Sequence, residues 1–373
     1  MTEPAPGTHR PSVTLQDAGS YWITPNAPDR RLAATVLVPA FNAAATLERA
    51  LASVRDQTLT ELEIIVIDDA STDGTWEIIE AMLAAEPRLR AIRNKQNCGK
   101  PVSMNRAMGH ARGRWLAVLD ADDWYHLERL ARLIALAEAA GAQMIADNQL
   151  FYDTIAARFV GTAWVVADRY RPLTLDTYLA RSDAYARFSL GMLKPIFDAA
   201  FIRDRGVEYE SDARNGQDFF KLLCFFLAGG TAVTTDIPYY CYTQPYGTSS
   251  RRWSHEARKR YNFQLAYTIN QRYLTEQRDK LTPSQFALLE RRSRQLRTLE
   301  HFHRLREAVA RRDVRSTVSS VAAQPAVIAY CARQLWRRWR RVFVSATDAT
   351  KATAGQLAVG SMDIASEPSQ PVA

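Results

Sequence analysis

The chain has 373 residues, of which 47% are hydrophobic, so it can bury the core of one large domain or of one domain with an appendage. No basic and then apolar leader opens the sequence and no run of 18 apolar residues occurs, so we expect neither a signal peptide nor a membrane span. The four cysteines have neither the spacing of a zinc site nor that of a disulfide framework, which favours a reducing cytoplasm: Cys98, Cys224, Cys241 and Cys331.

The net charge of +8 is unevenly distributed along the chain. Residues 251–343 carry 22 Lys and Arg against 7 Asp and Glu, whereas the rest of the chain carries 26 against 33. An acidic body therefore precedes a basic tail. Such asymmetry indicates an anionic partner surface for the tail, either a membrane or a nucleic acid.

Short apolar runs alternate with segments of helical spacing over residues 35–152. Strands that alternate with helices predict an α/β fold with a mostly parallel sheet and right-handed crossovers. The predicted strands cover residues 35–38, 62–67, 89–93, 114–119 and 143–152, and the predicted helices cover residues 44–57, 72–85, 100–111 and 126–140.

The alternation fades after residue 151, where composition becomes the better guide. A helix is predicted over residues 216–227 and a strand over 231–242, and residues 254–312 are polar with helical spacing. We expect four parts: a flexible N-terminal arm over residues 1–32, the α/β domain over 33–250, a basic helical region over 251–347 and a disordered tail over 348–373.

The most informative segment is the end of the fourth predicted strand. Its apolar run stops at three carboxylates within four positions, Asp120, Asp122 and Asp123. Ligands bind open α/β sheets at the carboxyl ends of the strands. Three like charges packed together favour a hard divalent cation that carries phosphate oxygens. The alternative is a solvated acidic turn.

Two further polar loops follow predicted strands. The first strand runs into Pro39-Ala40-Phe41-Asn42, and the second runs into residues 68–75, Asp-Asp-Ala-Ser-Thr-Asp-Gly-Thr. Three polar loops that converge on one edge of a parallel sheet favour a nucleotide-phosphate site over three solvated turns.

Together these motifs resemble the family 2 glycosyltransferases. Residues 39–42 resemble the opening Pro-x-Tyr-Asn of that family, and residues 68–75 resemble its Asp-Asp-x-Ser-x-Asp-x-Thr loop. Residues 97–107 resemble its Asn-x-Gly…Arg-Asn-x-Gly segment, residues 120–122 its Asp-x-Asp metal motif, and residues 216–218 its Gly-Glu-Asp. The resemblance runs from about residue 35 to 252. It implies the GT-A fold, a Rossmann-like sheet with flanking helices, and an inverting enzyme that uses nucleotide-diphosphate sugars.

The resemblance also implies roles for single residues. Asp218 would be the general base that takes the proton of the acceptor hydroxyl, and Asp122 would hold the Mg²⁺ or Mn²⁺ that bridges the diphosphate. Asp69 would accept the imide N–H of uracil and Asp120 would face the ribose hydroxyls, so a UDP-sugar is the favoured donor. The other nucleotide-binding residues would be Pro39, Phe41, which lies against the base, Asn42, Asn97 and Lys100.

The sequence departs from the family pattern at several positions. Gln217 stands where the family has Glu before the base, Met104 stands where it has Arg, and Phe41 stands where it has Tyr. Residues 246–253 only loosely resemble the Gln-x-x-Arg-Trp of processive synthases, so we expect a single addition. Arg251 and Arg252 are candidates for a diphosphate clamp, with a plain surface position as the alternative.

From residue 327 the basic tail has the spacing of an amphipathic helix. This pattern suits the interface of an anionic bilayer, and the alternative is a helix docked on the body of the protein. A nucleic-acid partner is not expected, because no helix-turn-helix, zinc-finger or RNP-like pattern accompanies the charge. One side would carry Ile328, Cys331, Leu335, Trp339, Val342 and Phe343, and the other Arg333, Arg337, Arg340 and Arg341.

The sequence therefore predicts an inverting transferase that moves one sugar from a nucleotide-diphosphate sugar to the hydroxyl of a saccharide or lipid-linked acceptor. Its place would be surface polysaccharide or glycoconjugate synthesis, in the cytoplasm and peripheral at the inner face of the cytoplasmic membrane. One alternative is a nucleotidyltransferase, although the Gly-rich loop with Arg and Lys that such enzymes carry after the first strand is missing. Another is a catalytically silent sugar-nucleotide-binding or scaffold protein, which Gln217 allows.

Overall fold

A computed structural model describes residues 16–24, 32–166, 170–186, 188–213, 216–244, 262–333 and 336. These residues fall into two compact units. The first unit comprises the described residues up to 182 and those from 188 to 244. The second comprises residues 183–186 and the described residues from 262 onward.

The first unit is built on one mixed sheet flanked by helices. Its helices are α1 Leu47–Arg55, α2 Thr75–Ala85, α3 Lys100–His110, α4 Arg129–Ala139, α5 Leu175–Ala180, α6 Ala199–Asp204 and α7 Gln217–Leu227. Its strands are β1 Gln16–Asp17, β2 Tyr21–Ile23, β3 Ala34–Ala40, β4 Leu62–Asp68, β5 Leu89–Asn94, β6 Trp115–Val118, β7 Trp124–Tyr125, β8 Met144–Asp153, β9 Arg158–Thr162, β10 Tyr170–Pro172, β11 Ile196–Asp198 and β12 Ala232–Gln244.

In the described residues the sheet has twelve strands, ten of them in the order β1-β2-β5-β4-β3-β6-β11-β8-β12-β10. Strands β5, β4, β3 and β6 run parallel to one another, as do β8 and β12. Strand β11 lies antiparallel between β6 and β8, while β7 pairs with β12 and β9 with β8. The predicted α/β architecture is therefore confirmed.

Strands β3 and β4 are buried on both faces, which explains their mostly apolar sequence. In β3, Val36 and Val38 belong to one apolar cluster whereas Leu37 belongs to another. In β4, Ile64 belongs to the first cluster and Ile65 to the second. Successive side chains of a strand point to opposite faces, so a strand covered on both sides needs apolar residues at every position. The hydrophobic core therefore lies against both faces of these strands.

Part of the predicted N-terminal arm is ordered in the sheet. Strand β2 pairs antiparallel with β5, with Trp22 opposite Arg93, and the Lys95 ammonium lies 5.0 Å from the Trp22 ring centroid. The expectation of a flexible arm over residues 1–32 is thus wrong for residues 16–24. Three residues form too short a strand to produce a periodic pattern, so the sequence carried little signal for it.

The second unit is helical in its described residues. Its helices are α8 Phe263–Glu276, α9 Pro283–Ala310, α10 Val314–Ala323 and α11, residues 326–333. Thr282 begins α9 with a capping box, in which its side chain accepts from the Gln285 N–H and the Gln285 side chain accepts from the Thr282 N–H. Asn270 of α8 donates to the Leu289 carbonyl and to the Ser293 hydroxyl of α9. No helix among the described residues is both long and apolar enough to cross a membrane.

The structural division does not test the predicted boundary at residue 250, because residues 245–261 lie outside the described part of the chain. The predicted tail over residues 348–373 also lies outside it. Both stay predictions.

The approach of β6 to β3 leaves no room for a side chain at Gly113. A Cβ there would lie 2.2 Å from the Ala34 carbonyl carbon and 2.3 Å from the Thr35 nitrogen. We expect Gly113→Ala to lower the free energy of unfolding by roughly 1–3 kcal/mol, the usual cost of overpacking, because two backbones must separate. Urea unfolding followed by circular dichroism measures this cost.

Gly109 provides the matched control in the same part of the chain. It lies in α3, and a Cβ there would meet nothing within 4 Å. Gly109→Ala should leave the stability unchanged or raise it by up to about 1 kcal/mol, since alanine loses less backbone entropy in a helix. Equal stability of the two variants would contradict the close approach of β3 and β6.

Candidate active site

The loops after β3 and β4 are held together by hydrogen bonds at one edge of the sheet. The two strands are parallel and pair through Ala40 and Asp68, so both loops leave the sheet at the same end. The Asn42 N–H donates to the Ser71 hydroxyl, and the Thr72 N–H donates to the Asn42 side-chain oxygen, each at 2.9 Å. The predicted convergence of these loops is therefore present in the structure.

The acidic turn after β6 lies at the same edge. Carboxylate oxygens of Asp120, Asp122 and Asp123 all lie within 4.8 Å of one another. Asp123 is buried, and its carboxylate accepts from the Tyr240 hydroxyl at 2.7 Å and from the Thr243 N–H at 2.8 Å. Burial, together with the negative charges of Asp122 and Asp120, raises the pKa of Asp123 well above its ordinary value.

The backbone of Asp122 is fixed by two side chains. Its carbonyl accepts from the Arg49 guanidinium at 3.1 Å and from the Thr243 hydroxyl. The Arg49 guanidinium also lies 4.0 Å from the centroid of the Trp124 ring. The turn is thus held from α1 and from β12, while the Asp122 side chain is only half-buried.

The donor set of this turn fits a hard divalent cation. It offers carboxylate oxygens, the ligands that Mg²⁺ and Mn²⁺ prefer. A bound cation would offset the repulsion among the three neighbouring carboxylates. Asp122 is half-buried, whereas both carboxylate oxygens of Asp120 contact lysine ammonium groups.

Asp69 is engaged mainly with its own protein. Its carboxylate accepts from the Asn94 amide at 2.7 Å, from the Cys98 N–H at 2.8 Å and from the Gly99 N–H at 2.7 Å. Gly99 has φ of +85°, a conformation that favours glycine, so the turn can aim both N–H groups at one carboxylate. Asp69, which the sequence predicts to bind the nucleotide, therefore also holds the loop that leads into α3.

The other predicted nucleotide-binding residues lie around the same two loops. Pro39 is in β3 opposite Ile67, and Phe41 follows the strand half-buried. The Asn97 amide donates to the Asp69 carbonyl at 3.3 Å. Asn42 has a φ of +49° and uses its side-chain oxygen to bind the neighbouring loop. Arg251 and Arg252, the candidate diphosphate clamp, lie outside the described residues.

Asp218 is joined to the acidic turn by two lysines. It is the second residue of α7, and its carboxylate lies 2.7 Å from the Lys194 ammonium and 3.6 Å from that of Lys100. Both ammonium groups also contact Asp120, Lys100 at 2.6 Å and Lys194 at 2.8 Å. Two carboxylates and two lysines therefore form one charge cluster, which we call the Lys–Asp cluster.

The electrostatics of the Lys–Asp cluster favour the charged forms of Asp120 and Lys194. Burial alone would raise the pKa of Asp120, but the positive charges of Lys100 and Lys194 outweigh it and hold that pKa well below its ordinary value. Burial alone would lower the pKa of Lys194, but Asp120 and Asp218 outweigh it and raise that pKa well above its ordinary value. Asp120 is therefore a carboxylate and Lys194 an ammonium at neutral pH.

The sequence motifs do not identify Lys194, Tyr240 or Thr243 as contacts of the acidic turn. These residues are far along the chain from the acidic turn that they contact. One signal was present for Lys194, which stands in the apolar run Gly191 to Phe197. A lysine in an apolar run needs a counter-charge if it is buried.

Comparison with known proteins agrees with this geometry. Residues 35–180 match the family model described as "Glycosyl transferase family 2". This segment belongs to glycosyl transferase family 2. The family 2 segment contains the three polar loops, whereas Lys194 and Asp218 follow it in the chain. The resemblance drawn from the motifs is confirmed.

The chain is also similar to a protein of a known pathway. It is 33% identical over 232 residues to "Succinoglycan biosynthesis protein ExoO" of Rhizobium meliloti (strain 1021), an alignment that covers 61% of this chain and 66% of the relative. The chain thus spans just under two thirds of the length of that relative.

Two solved structures share the fold. The crystal structure of S. aureus TarS 1–349 in complex with UDP-GlcNAc has a TM-score of 0.54 at 16% identity, and covers 78% of this chain and 90% of that one. The mannosyltransferase PcManGT from Pyrobaculum calidifontis, in complex with GDP-Man and Mn²⁺, has a TM-score of 0.51 at 20% identity, and covers 85% of this chain and 84% of that one. The predicted GT-A fold is therefore confirmed.

Proposed function

We propose that this protein is an inverting glycosyltransferase, which moves one sugar from a nucleotide-diphosphate sugar to an acceptor hydroxyl. The observation that carries the proposal is the Lys–Asp cluster. It joins Asp218 to Asp120, and Asp120 belongs to a carboxylate triplet at the C-terminal edge of a parallel sheet. Family membership of residues 35–180 and the GT-A fold support the same function.

The donor would bind across the three strand-end loops. Phe41 would lie against the nucleobase, flanked by Pro39 and Asn42. A carboxylate offers about four lone-pair positions, and Asp69 uses three of them within the protein, so one is left for the imide N–H of uracil. We favour a UDP-sugar as the donor, with Asn97 and Lys100 on the same side of the nucleotide.

Asp122 would hold Mg²⁺ or Mn²⁺ in this arrangement, with Asp120 facing the ribose. When bound, the divalent cation supplies positive charge to the departing nucleoside diphosphate. Arg49 and Thr243 hold the Asp122 backbone, so the side chain is aimed by the protein before any ligand arrives. In the solved structure of PcManGT, Mn²⁺ accompanies the nucleotide sugar, which supports a cation-dependent donor site.

Asp218 would act on the acceptor. Its carboxylate takes the proton of the acceptor hydroxyl, whose oxygen attacks the anomeric carbon opposite the leaving diphosphate and inverts that centre. Its side chain is 18% exposed, so an acceptor can reach it. Gln217 removes a charge beside this base but leaves the base itself in place.

The product class follows from the relatives. The name of the Rhizobium meliloti relative places that protein in succinoglycan biosynthesis, so a surface polysaccharide or glycoconjugate is the proposed product here. The acceptor would then be a saccharide, free or linked to a lipid. Two rival functions predict different outcomes. A silent sugar-nucleotide binder would form no product. A nucleotidyltransferase would release pyrophosphate in place of nucleoside diphosphate.

Replacing the proposed base tests the chemistry. General-base catalysis contributes roughly 10²–10⁴-fold, so Asp218→Asn should lower turnover by about that factor and leave donor affinity nearly intact. A thermal-shift panel of UDP- and GDP-sugars with Mn²⁺ first identifies the donor, since a ligand of the native state raises the melting temperature. Turnover is then measured as free nucleoside diphosphate, with water or a polyprenyl-diphosphate-linked sugar as acceptor.

Asp212→Asn is a suitable control, because Asp212 is an exposed carboxylate in the same unit. It should turn over the donor like the wild type. Full turnover by Asp218→Asn would remove Asp218 from the role of base, and a silent wild type that still binds donor would favour the scaffold function.

Replacing Asp122 tests the metal. Asp122→Asn removes one negative ligand from the triplet, so donor binding should lose its dependence on Mn²⁺. Isothermal titration with UDP, with and without Mn²⁺, measures that dependence. An unchanged Mn²⁺ dependence in this variant would move the metal away from Asp122.

The basic second unit is the proposed membrane contact. Helix α11 buries Val327 and Tyr330, whereas Ile328 is 58% exposed and Trp336, two turns later, is 57% exposed. Arg333 is exposed beside them. One side of the described part of the helix is thus buried, and the other side exposes both apolar and basic residues. The remaining predicted positions lie outside the described residues: Leu335, Arg337, Trp339, Arg340, Arg341, Val342 and Phe343.

We propose that this surface binds the inner face of an anionic cytoplasmic membrane. Each basic side chain near such a surface contributes about 1 kcal/mol, and buried apolar side chains add to it. No disulfide joins any of the four cysteines, which agrees with a reducing compartment.

Liposome co-sedimentation of the full chain tests this contact. The protein should bind vesicles with anionic lipid at low salt, and binding should weaken at 1 M salt, where the Debye length is only about 3 Å. A double variant, Ile328→Ser with Trp336→Ser, should bind more weakly, because it removes two exposed apolar groups. Ile155→Ser is the control, since Ile155 is equally apolar and 84% exposed but lies in the first unit. Wild-type protein that ignores anionic vesicles at low salt would refute the proposal.

A further inference from the structure

Lys194 is the only lysine of the Lys–Asp cluster that donates short contacts to both carboxylates. Its ammonium lies 2.8 Å from Asp120 and 2.7 Å from Asp218, and its side chain is 5% exposed. Lys100 is 20% exposed and approaches Asp218 only to 3.6 Å. Lys194 therefore occupies the buried position between the two carboxylates. Lys100, the first residue of α3, lies at the more exposed edge of the cluster.

The backbone around Lys194 is fixed as well. Its carbonyl accepts from the Arg129 guanidinium at 2.6 Å, and Arg129 is itself fully buried and paired with Asp147 at 2.7 Å. Pro195 follows directly and restricts Lys194 to extended backbone. Two residues earlier, the Met192 carbonyl accepts from the Gln149 amide at 2.9 Å. The ammonium thus projects from a segment with little freedom to move.

We infer that Lys194 is a positioning residue, which holds the base Asp218 at a fixed place relative to the donor-binding carboxylate Asp120. This inference rests on the proposed function. Asp120 lies on the donor side of the reaction and Asp218 on the acceptor side, so the ammonium between them sets the geometry in which acceptor oxygen and anomeric carbon meet. Without Lys194, only Lys100 would remain between the two carboxylates, at 3.6 Å from Asp218, so the base would be held less firmly.

A purely stabilising role explains the arrangement less well. Burying an ammonium and two carboxylates costs desolvation free energy that their attraction barely offsets, so such clusters are weak sources of stability. An apolar side chain in the run from Gly191 to Phe197 would pack there without that cost. The placement of a charge between the two sides of the site is better explained by geometry at the reacting atoms.

The test is a double-mutant cycle in the full-length protein. Misplacement by about 1 Å can cost roughly 10²-fold in rate, so Lys194→Met should lower kcat for donor turnover by about that factor. The donor KM and the Kd of UDP should change much less. If Lys194 acts through Asp218, adding Lys194→Met to Asp218→Asn should cause almost no further loss, whereas independent roles would give the product of the two losses.

Two variants complete the design. Lys280→Met removes an exposed lysine of the second unit and should leave kcat unchanged. Lys194→Gln keeps hydrogen-bond donors without the charge, and it replaces the Met variant in the cycle if that variant does not fold, as judged by its UDP-dependent melting temperature.

The outcomes separate this inference from the function on which it rests. Wild-type kcat in the Lys194 variant, or losses that multiply in the cycle, would overturn the positioning role while the transferase stands. Wild-type turnover by Asp218→Asn would instead overturn the proposed base. A non-multiplicative cycle with an intact Kd for UDP is the result that we expect.

Discussion

The constraint on which the site depends is the crowding of negative charge at one edge of the sheet. Four carboxylates converge there, and their surroundings differ. Asp123 is buried with hydrogen-bond donors from β12, Asp120 and Asp218 share two lysines, and Asp122 remains half-buried beside them. Because carboxylates repel one another unless something positive joins them, this edge is predisposed to take up a cation together with an anionic diphosphate.

Counter-charges for this edge come from parts of the chain that are distant in sequence. Strand β11 runs antiparallel between β6 and β8, and this placement brings the segment that carries Lys194 to the end of β6. Arg129 then ties that segment to α4 and, through Asp147, to β8. The antiparallel strand β11 between β6 and β8 thus does more than extend the sheet. It supplies the acidic turn with a fixed positive charge.

The fold and half of the site could be predicted from the sequence, for physical reasons. Strands such as β3 and β4 are buried on both faces, so their apolar runs are unmistakable, and the polar residues that end them must lie at one edge. Contacts to Asp123 by Tyr240 and Thr243 could not be predicted, since β12 is over 100 residues away and looks like any aromatic strand. The same holds for Lys194 and for β2, whose three residues show no period.

The site residues that the sequence predicts and those that it does not predict lie mostly in different parts of the chain, and these parts have different proposed roles. In the proposed function, residues 35–180 supply the donor side, and the candidate residues there lie in short motifs that follow strands. Residues after 180 supply Lys194 and Asp218, which we place on the acceptor side. The base must be placed accurately relative to the donor if the acceptor oxygen is to reach the anomeric carbon. The Lys194 ammonium would couple the two sides of the site, because it contacts Asp120 and Asp218 together.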